Sequence, residues 1–240
     1  MSRSPRQPGE QHTGANSANA LRAAVLGAND GLVSVLSLVM GVAGGGLSTN
    51  DIFVAGVAGL LAGACSMAMG EWVSVTSARE LFQLQLDEER AELREQPEEE
   101  RLELIEIFEN KGIEHHTAVD AADNVLANPE HALDTMAREE LGIDPDELGG
   151  SPYQAAAASF GLFIVGALPP VLPFAFGLDR RSAIVLSLTL SAVMLFVIGA
   201  AITRLTGRPW VMSGLRQLAI GLAAAAVTYG IGSLLNVAVS

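Results

Sequence analysis

Five apolar runs, each about twenty residues or longer, leave this chain few folds to choose from. They cover 21–43, 52–75, 154–177, 182–202 and 211–237. Each approaches or exceeds the roughly 20 residues that carry a helix across a ~30 Å hydrocarbon core. In lipid every backbone N–H and C=O needs a partner within the segment, which makes each run a helix. Charge is segregated to match. Half the residues are hydrophobic and 17% are charged, and 151–240 carries only Asp179, Arg180, Arg181, Arg204, Arg208 and Arg216. The expected class is an all-α integral membrane protein with five transmembrane helices.

Most of the remaining charge is concentrated in an acidic block, 79–147. The second run continues from Glu71 through Arg79 to Glu95 with neither Gly nor Pro, so one helix should leave the membrane and project into water. Pro97 ends it. Helices are expected over 98–111, with Leu102, Ile105 and Phe108 inward, then over 116–126 and 129–141, stopped by Gly112 and Gly142. Gly149-Gly150-Ser-Pro152 forms the linker back to the membrane. The division is therefore a polar, disordered tail (1–20), two spans (21–78), a helical domain (79–150) and three spans (151–240).

With five spans, the tail, the acidic domain and the 203–210 turn share one side. With Arg22 and Arg216 just inside the first and fifth spans, that side holds twelve of the fourteen Lys and Arg residues; Arg180 and Arg181 lie opposite. The excess marks it as cytoplasmic in a multi-pass plasma or inner membrane protein, with the C-terminus outside. A net charge of −13 argues against nucleic acid and points toward cations, although acidic surfaces are more often simply solvated. One cysteine, Cys65, permits no intrachain disulfide. Small-residue stretches (Gly56-x2-Gly59-x3-Gly63, Ala155 to Ala158, Ala223 to Ala226) allow close helix packing, within one bundle or between copies.

Asp30 is the sharpest chemical signal, because an ionisable side chain inside a span is costly unless paired, hydrated or liganded. The alternative is a span that begins later, leaving Asp30 among headgroups. Met67 and Glu71 lie four apart on one face of the second span. A thioether beside a carboxylate suits a borderline-soft divalent metal such as Fe²⁺ better than Ca²⁺ or Mg²⁺, although a lone methionine is commonly packing. In the acidic block, Glu92-x2-Glu95 and Glu103-x2-Glu106 flank the Pro97 turn, and Met136 and Glu140 are again four apart. Two carboxylate pairs on antiparallel helices, with Met136 and Glu140 (or Glu139) from the last helix, form a candidate metal set; a solvated face is the plainer reading. None of His12, His115, His116 and His131 completes a Glu-x2-His pair, which argues against a di-iron oxidase. No Walker phosphate loop is present. An enzyme is not expected.

Four segments resemble the vacuolar iron transporter family and its bacterial members. They are Gly27-Ala-Asn-Asp30-Gly31-Leu, Gly63-Ala-Cys-Ser-Met67-Ala-Met-Gly70-Glu71, Glu-Ile-Phe-Glu109-x2-Gly112 and Ala155-Ala-Ala-Ala-Ser. With the five-span plan, the resemblance covers nearly everything after residue 20. It implies a homodimer whose metal path follows the interface of the first two spans, with Asp30 as the conserved acid and Met67 as the pore methionine. It implies exchange of Fe²⁺ for protons, with Mn²⁺, Co²⁺, Ni²⁺ or Zn²⁺ as further substrates and no prosthetic group. It also implies a cytoplasmic metal-binding domain using Glu92, Glu95, Glu103, Glu106, Met136 and Glu140. Two positions depart from the pattern. Gly59 stands where some members carry a further pore glutamate, and Ala137 follows Met136 where some carry paired methionines.

The expected function is export of cytoplasmic Fe²⁺ (with Mn²⁺ as a second substrate) in exchange for protons, using Asp30, Met67 and Glu71 along the pathway. The rival is a membrane-anchored metal buffer or sensor without transport. Asp30 weighs against it, because a plain anchor has no use for an intramembrane acid.

Overall fold

The computed structural model describes residues 9–145, 150–201, 203 and 209–239. Side chains are described from 25 to 236 within those ranges. The chain is an all-α integral membrane protein, with no strand among the described residues and five helices long and apolar enough to span a bilayer. The helices are α1 (Gly9–Gly44), α2 (Thr49–Glu95), α3 (Pro97–Asn110), α4 (His115–Leu126), α5 (Pro129–Glu139), α6 (Pro152–Val171), α7 (Arg180–Ala201) and α8 (Trp210–Val239), with a 3₁₀ turn at Leu172–Phe176. They form two compact units. One holds the chain up to Glu71 and from Ala155 onward; the other is Trp72–Gln154.

Two expectations shift. Helix α1 begins at Gly9, so it occupies much of the stretch expected to be disordered; after Pro8 nothing interrupts helical hydrogen bonding into the first span. Residues 1–8, 146–149 of the linker region and 204–208 of the 203–210 turn lie outside the described residues. In α3, Leu102 is 63% exposed while Leu104 is fully buried. Leu104, Ile105 and Phe108 form the inward face, so the predicted stripe was correct at Ile105 and Phe108 and displaced at its start.

In the membrane unit α1 is the central helix. Leu32, Val35, Leu36, Val39, Met40 and Ala43 recur at helical spacing and are all buried. Helix α1 packs against α8 and α7, and α7 against α8. These crossings are close because glycine leaves the backbone bare. A Cβ on Gly232 of α8 would meet the Gly41 carbonyl oxygen, and one on Gly44 the Tyr229 carbonyl oxygen. The Gly56, Gly59 and Gly63 face of α2 accommodates Val39, Val171, Leu38 and Phe163 of the same chain.

Helix ends are satisfied locally. Ser48 and Asp51 cap α2 reciprocally, with Ser48 Oγ donating to Asp51 Oδ2 (2.6 Å) and Asp51 N–H donating to Ser48 Oγ (3.2 Å). Arg180 donates through Nη2 to the Ala43 carbonyl, placing a cation at the negative end of α1. Pro169, Pro170 and Pro173 remove three donors near the end of α6, which tightens into the 3₁₀ turn and stops at Gly177 (φ 67°). Buried Ser187 Oγ donates to the Pro170 carbonyl at 2.7 Å.

The acidic unit is the far half of α2 with α3, α4 and α5. The 47-residue α2 is shared by the two units, and its charge-rich Trp72–Glu95 portion belongs to the acidic one. Leu104, Ile105, Ala118, Ala122 and Met136 form the core of this unit. Arg101 bridges α3 to Asp123 of α4 (2.5 and 3.0 Å), and Lys111 pairs with Glu139 of α5.

Candidate functional site

Two constellations carry chemistry, one in each unit. In the membrane unit, Asp30, Ser34 and Leu38 form a stripe one turn apart along α1. Gly59, Gly63, Ser66 and Met67 form a facing stripe on α2. With Val35 and Phe163 they line a groove of about 330 Å³. Asp30 falls inside the first span, Val25–Gly44, and its side chain is exposed to the groove. Its carbonyl accepts the Ser34 hydroxyl (2.6 Å). The Met67 thioether rests against α1 at Gly27, where a Cβ would lie 3.5 Å from Met67 Cε. Asp30 and Met67, expected as pathway residues, thus share one groove. Glu71, one turn beyond Met67, is half-buried and is not among the groove's walls. Leu38 occupies the space that a side chain at Gly59 would need.

The acidic unit brings Glu89 of α2, Glu100 of α3 and Glu140, just past α5, together so that one oxygen of each lies within 4.8 Å of the others. Glu89 is 1% exposed and Glu100 6%, while Glu140 opens to water. No N–H or O–H of another residue type reaches either oxygen of Glu89 or Oε2 of Glu100. Without a cation or a shared proton, these three buried oxygens have nothing to offset their charge. Burial first, then the charges of Glu140 and Glu100, pushes Glu89 up from 4.5 to about 8. Glu100 is raised by burial and by Glu103, Glu140 and Glu92; Glu140 is raised by burial and by Glu103. Two buried carboxylates and one exposed one, with two more alongside, suit a hard or borderline divalent cation.

Of the six residues expected in this unit, Glu140 belongs to the triad, and Glu92 and Glu103 border it closely enough to act on its charge. Glu95 and Glu106 are one turn further on and do not join it. Met136 is fully buried in the apolar core one turn before Glu140. Sequence reasoning missed Glu89 and Glu100. The signal was present, because Glu89-x2-Glu92 and Glu100-x2-Glu103 have the spacing used for the later pairs. Glu89 also stands three residues after buried Leu86, and Glu100 four before buried Leu104, on the inward faces.

Residues 21–233 match the model of the VIT family. A vacuolar iron transporter of Acanthamoeba castellanii is 36% identical over 231 residues, covering 96% of this chain and 84% of that protein. Vacuolar iron transporter homolog 3 of Arabidopsis thaliana is 38% identical over 219 residues, covering 90% and 83%. Vacuolar iron transporter 1 of Oryza sativa is 29% identical over 214 residues, covering 89% and 84%. With a family match along nearly its whole described length, and an acid and a thioether in one membrane groove, the chain belongs to the VIT family.

Proposed function

We propose that this protein carries divalent metal ions across its membrane, Fe²⁺ foremost and Mn²⁺ as a second substrate, in exchange for protons. The observation that carries the reading is the membrane groove shared by Asp30 and Met67. A carboxylate within a span is the group best able to alternate between two cations. A nearby divalent charge favours its ionised form, and a metal-free, poorly hydrated state favours its protonated form. The Met67 sulfur supplies a soft contact that Fe²⁺ accepts better than Mg²⁺ or Ca²⁺. Names of the relatives support iron as the substrate. The Lys and Arg asymmetry supports an acidic unit on the cytoplasmic side, and hence export. There the Glu89–Glu100–Glu140 triad gathers the metal, and the groove passes it through the bilayer. A homodimer places two such grooves side by side.

The test is metal flux in proteoliposomes with and without a pH gradient. Wild type should move Fe²⁺ faster than Mn²⁺ and faster with the gradient; Asp30→Asn should lose at least about tenfold in flux while remaining folded. Full flux in Asp30→Asn would remove that carboxylate from the mechanism. The triad also suits a membrane-anchored buffer. Metal binding with no flux in either protein would favour that second reading.

A further inference from the structure

Asn29, next to Asp30, is a second polar side chain within the first span, and it turns away from the groove. Gln217 Nε2 of α8 donates a hydrogen bond to Asn29 Oδ1, and both residues are half-buried. The stem of Gln217 is backed by α7 at Gly199, where a Cβ would stand 2.7 Å from Gln217 Cβ. The amide therefore reaches from the α7–α8 contact across to α1.

The consequence for Asp30 follows from helix geometry. Successive residues of α1 turn by about 100° around its axis. Gly27, Ala28 and Gly31 face α6: a Cβ on Gly31 would meet the Phe163 carbonyl, and one on Gly166 the Ala28 carbonyl. Asn29 follows about 100° further round, toward α8, and Asp30 about 100° beyond that, toward the groove. The α6 contact combines close backbone approaches with the Leu162 side chain, 3.3 Å from where a Gly27 Cβ would stand, and these atoms offer no directional polar bond at this turn of α1. The amide–amide bond is directional, lies in low-dielectric surroundings and sits one residue from the carboxylate.

We propose that Gln217 is a positioning residue, which by holding Asn29 fixes the rotation of α1 that presents Asp30 to the groove shared with Met67. Its consequence for flux rests on the transport reading above; the rotational claim does not. Removing the amide leaves Asn29 without its partner inside the bilayer, and the turn of α1 that precedes the buried Leu32–Ala43 stripe shifts to find another, carrying Asp30 away from the groove.

The experiment reads rotation and flux separately in the full-length reconstituted protein. In a Cys65→Ser background, Asp30→Cys is reacted with a small membrane-impermeant methanethiosulfonate, with Ser66→Cys on the opposite wall as control. Gln217→Leu should slow labelling of the Asp30→Cys thiol by about tenfold, because only the hydrated thiolate reacts, and should leave the Ser66→Cys rate within about twofold. Gln217→Glu, protonated in these low-dielectric surroundings and able to donate its O–H to Asn29 Oδ1 as the amide does, should restore labelling. With Asp30 native, Gln217→Leu should lower maximal Fe²⁺ flux by about tenfold with little change in the half-saturating concentration, and Gln217→Glu should rescue it. Unchanged labelling of the Asp30→Cys thiol in Gln217→Leu, or an equal loss at Ser66→Cys, overturns the proposal. Slowed labelling with undiminished flux upholds the positioning role and instead overturns the place of Asp30 in transport. If Gln217→Leu does not reconstitute, Gln217→Asn, one methylene shorter, carries the same test.

Discussion

At the scale of single residues, Glu89 governs how the acidic unit responds to pH. Its carboxyl is ordinarily half-ionised at 4.5 and in the folded unit only at about 8. Between those values the folded chain binds more protons than the unfolded one, so this group's contribution is complete below 4.5 and declines as pH rises through 8. Glu100 and Glu140 shift in the same direction. The metal-free unit should therefore melt at lower temperature as pH rises from about 5 to 8, and Glu89→Gln should flatten that slope. A fluorescence melt of the chelator-treated protein across this range checks it, and an unchanged slope counts against the burial-driven shift. Met67 tests the groove: Met67→Leu keeps the volume and loses the sulfur. It should reduce Fe²⁺ flux several-fold more than Mn²⁺ flux, the harder ion depending less on a thioether. Equal losses would make Met67 a packing residue. These residues also mark how far the sequence was legible. Asp30 and Met67 stood out as candidates because a charge or a thioether on a small-residue face of a span is conspicuous. Glu89 and Glu100 were not, because the block contains overlapping Glu-x2-Glu pairs, and only burial separates the inward pair from the next turn.

At the scale of elements, the membrane helices are held by close backbone crossings and by caps at interrupted ends. Gly232 and Gly230 lie two residues apart on α8, yet a Cβ on Gly232 meets a backbone carbonyl and one on Gly230 meets nothing within 4 Å. Gly232→Ala should destabilise the fold by 1 kcal/mol or more, on the order of an overpacked core. Gly230→Ala should be neutral or stabilising, up to about 1 kcal/mol, from helix propensity. Melting temperatures in detergent separate them, and equal effects would contradict the α1–α8 crossing. Ser187 makes a parallel case. Ser187→Ala leaves the buried Pro170 carbonyl without its hydroxyl donor and should lower stability by about 1–3 kcal/mol. The three prolines made the break in α6 predictable; the α7 hydroxyl that closes it was not, because it comes from another helix.

At the scale of the whole molecule, the net charge of −13 combines +3 in the membrane unit with −16 in the acidic one. A divalent cation at the triad neutralises mutual repulsion among buried carboxylates, so it should act as a stabiliser of the folded protein. At pH 7.5 about 1 mM Mn²⁺ should raise the melting temperature of the full chain, EDTA should reverse the rise, and Glu89→Gln with Glu140→Gln should abolish it. A rise that survives both substitutions would locate the dominant metal site elsewhere. The class, the five spans, the unbroken second helix and the acid within the first span were all legible in the residues alone. Each follows from local rules: the length of apolar runs, the reach of uninterrupted helix, and the cost of charge in lipid. Folding in three dimensions set which glutamates meet, turned Leu104 inward in place of Leu102, and bonded Gln217 to Asn29 across 188 positions. Periodicity gives a residue's face on its own helix; which helix lies opposite, and how deeply a carboxylate is buried there, depends on contacts between segments far apart in the chain.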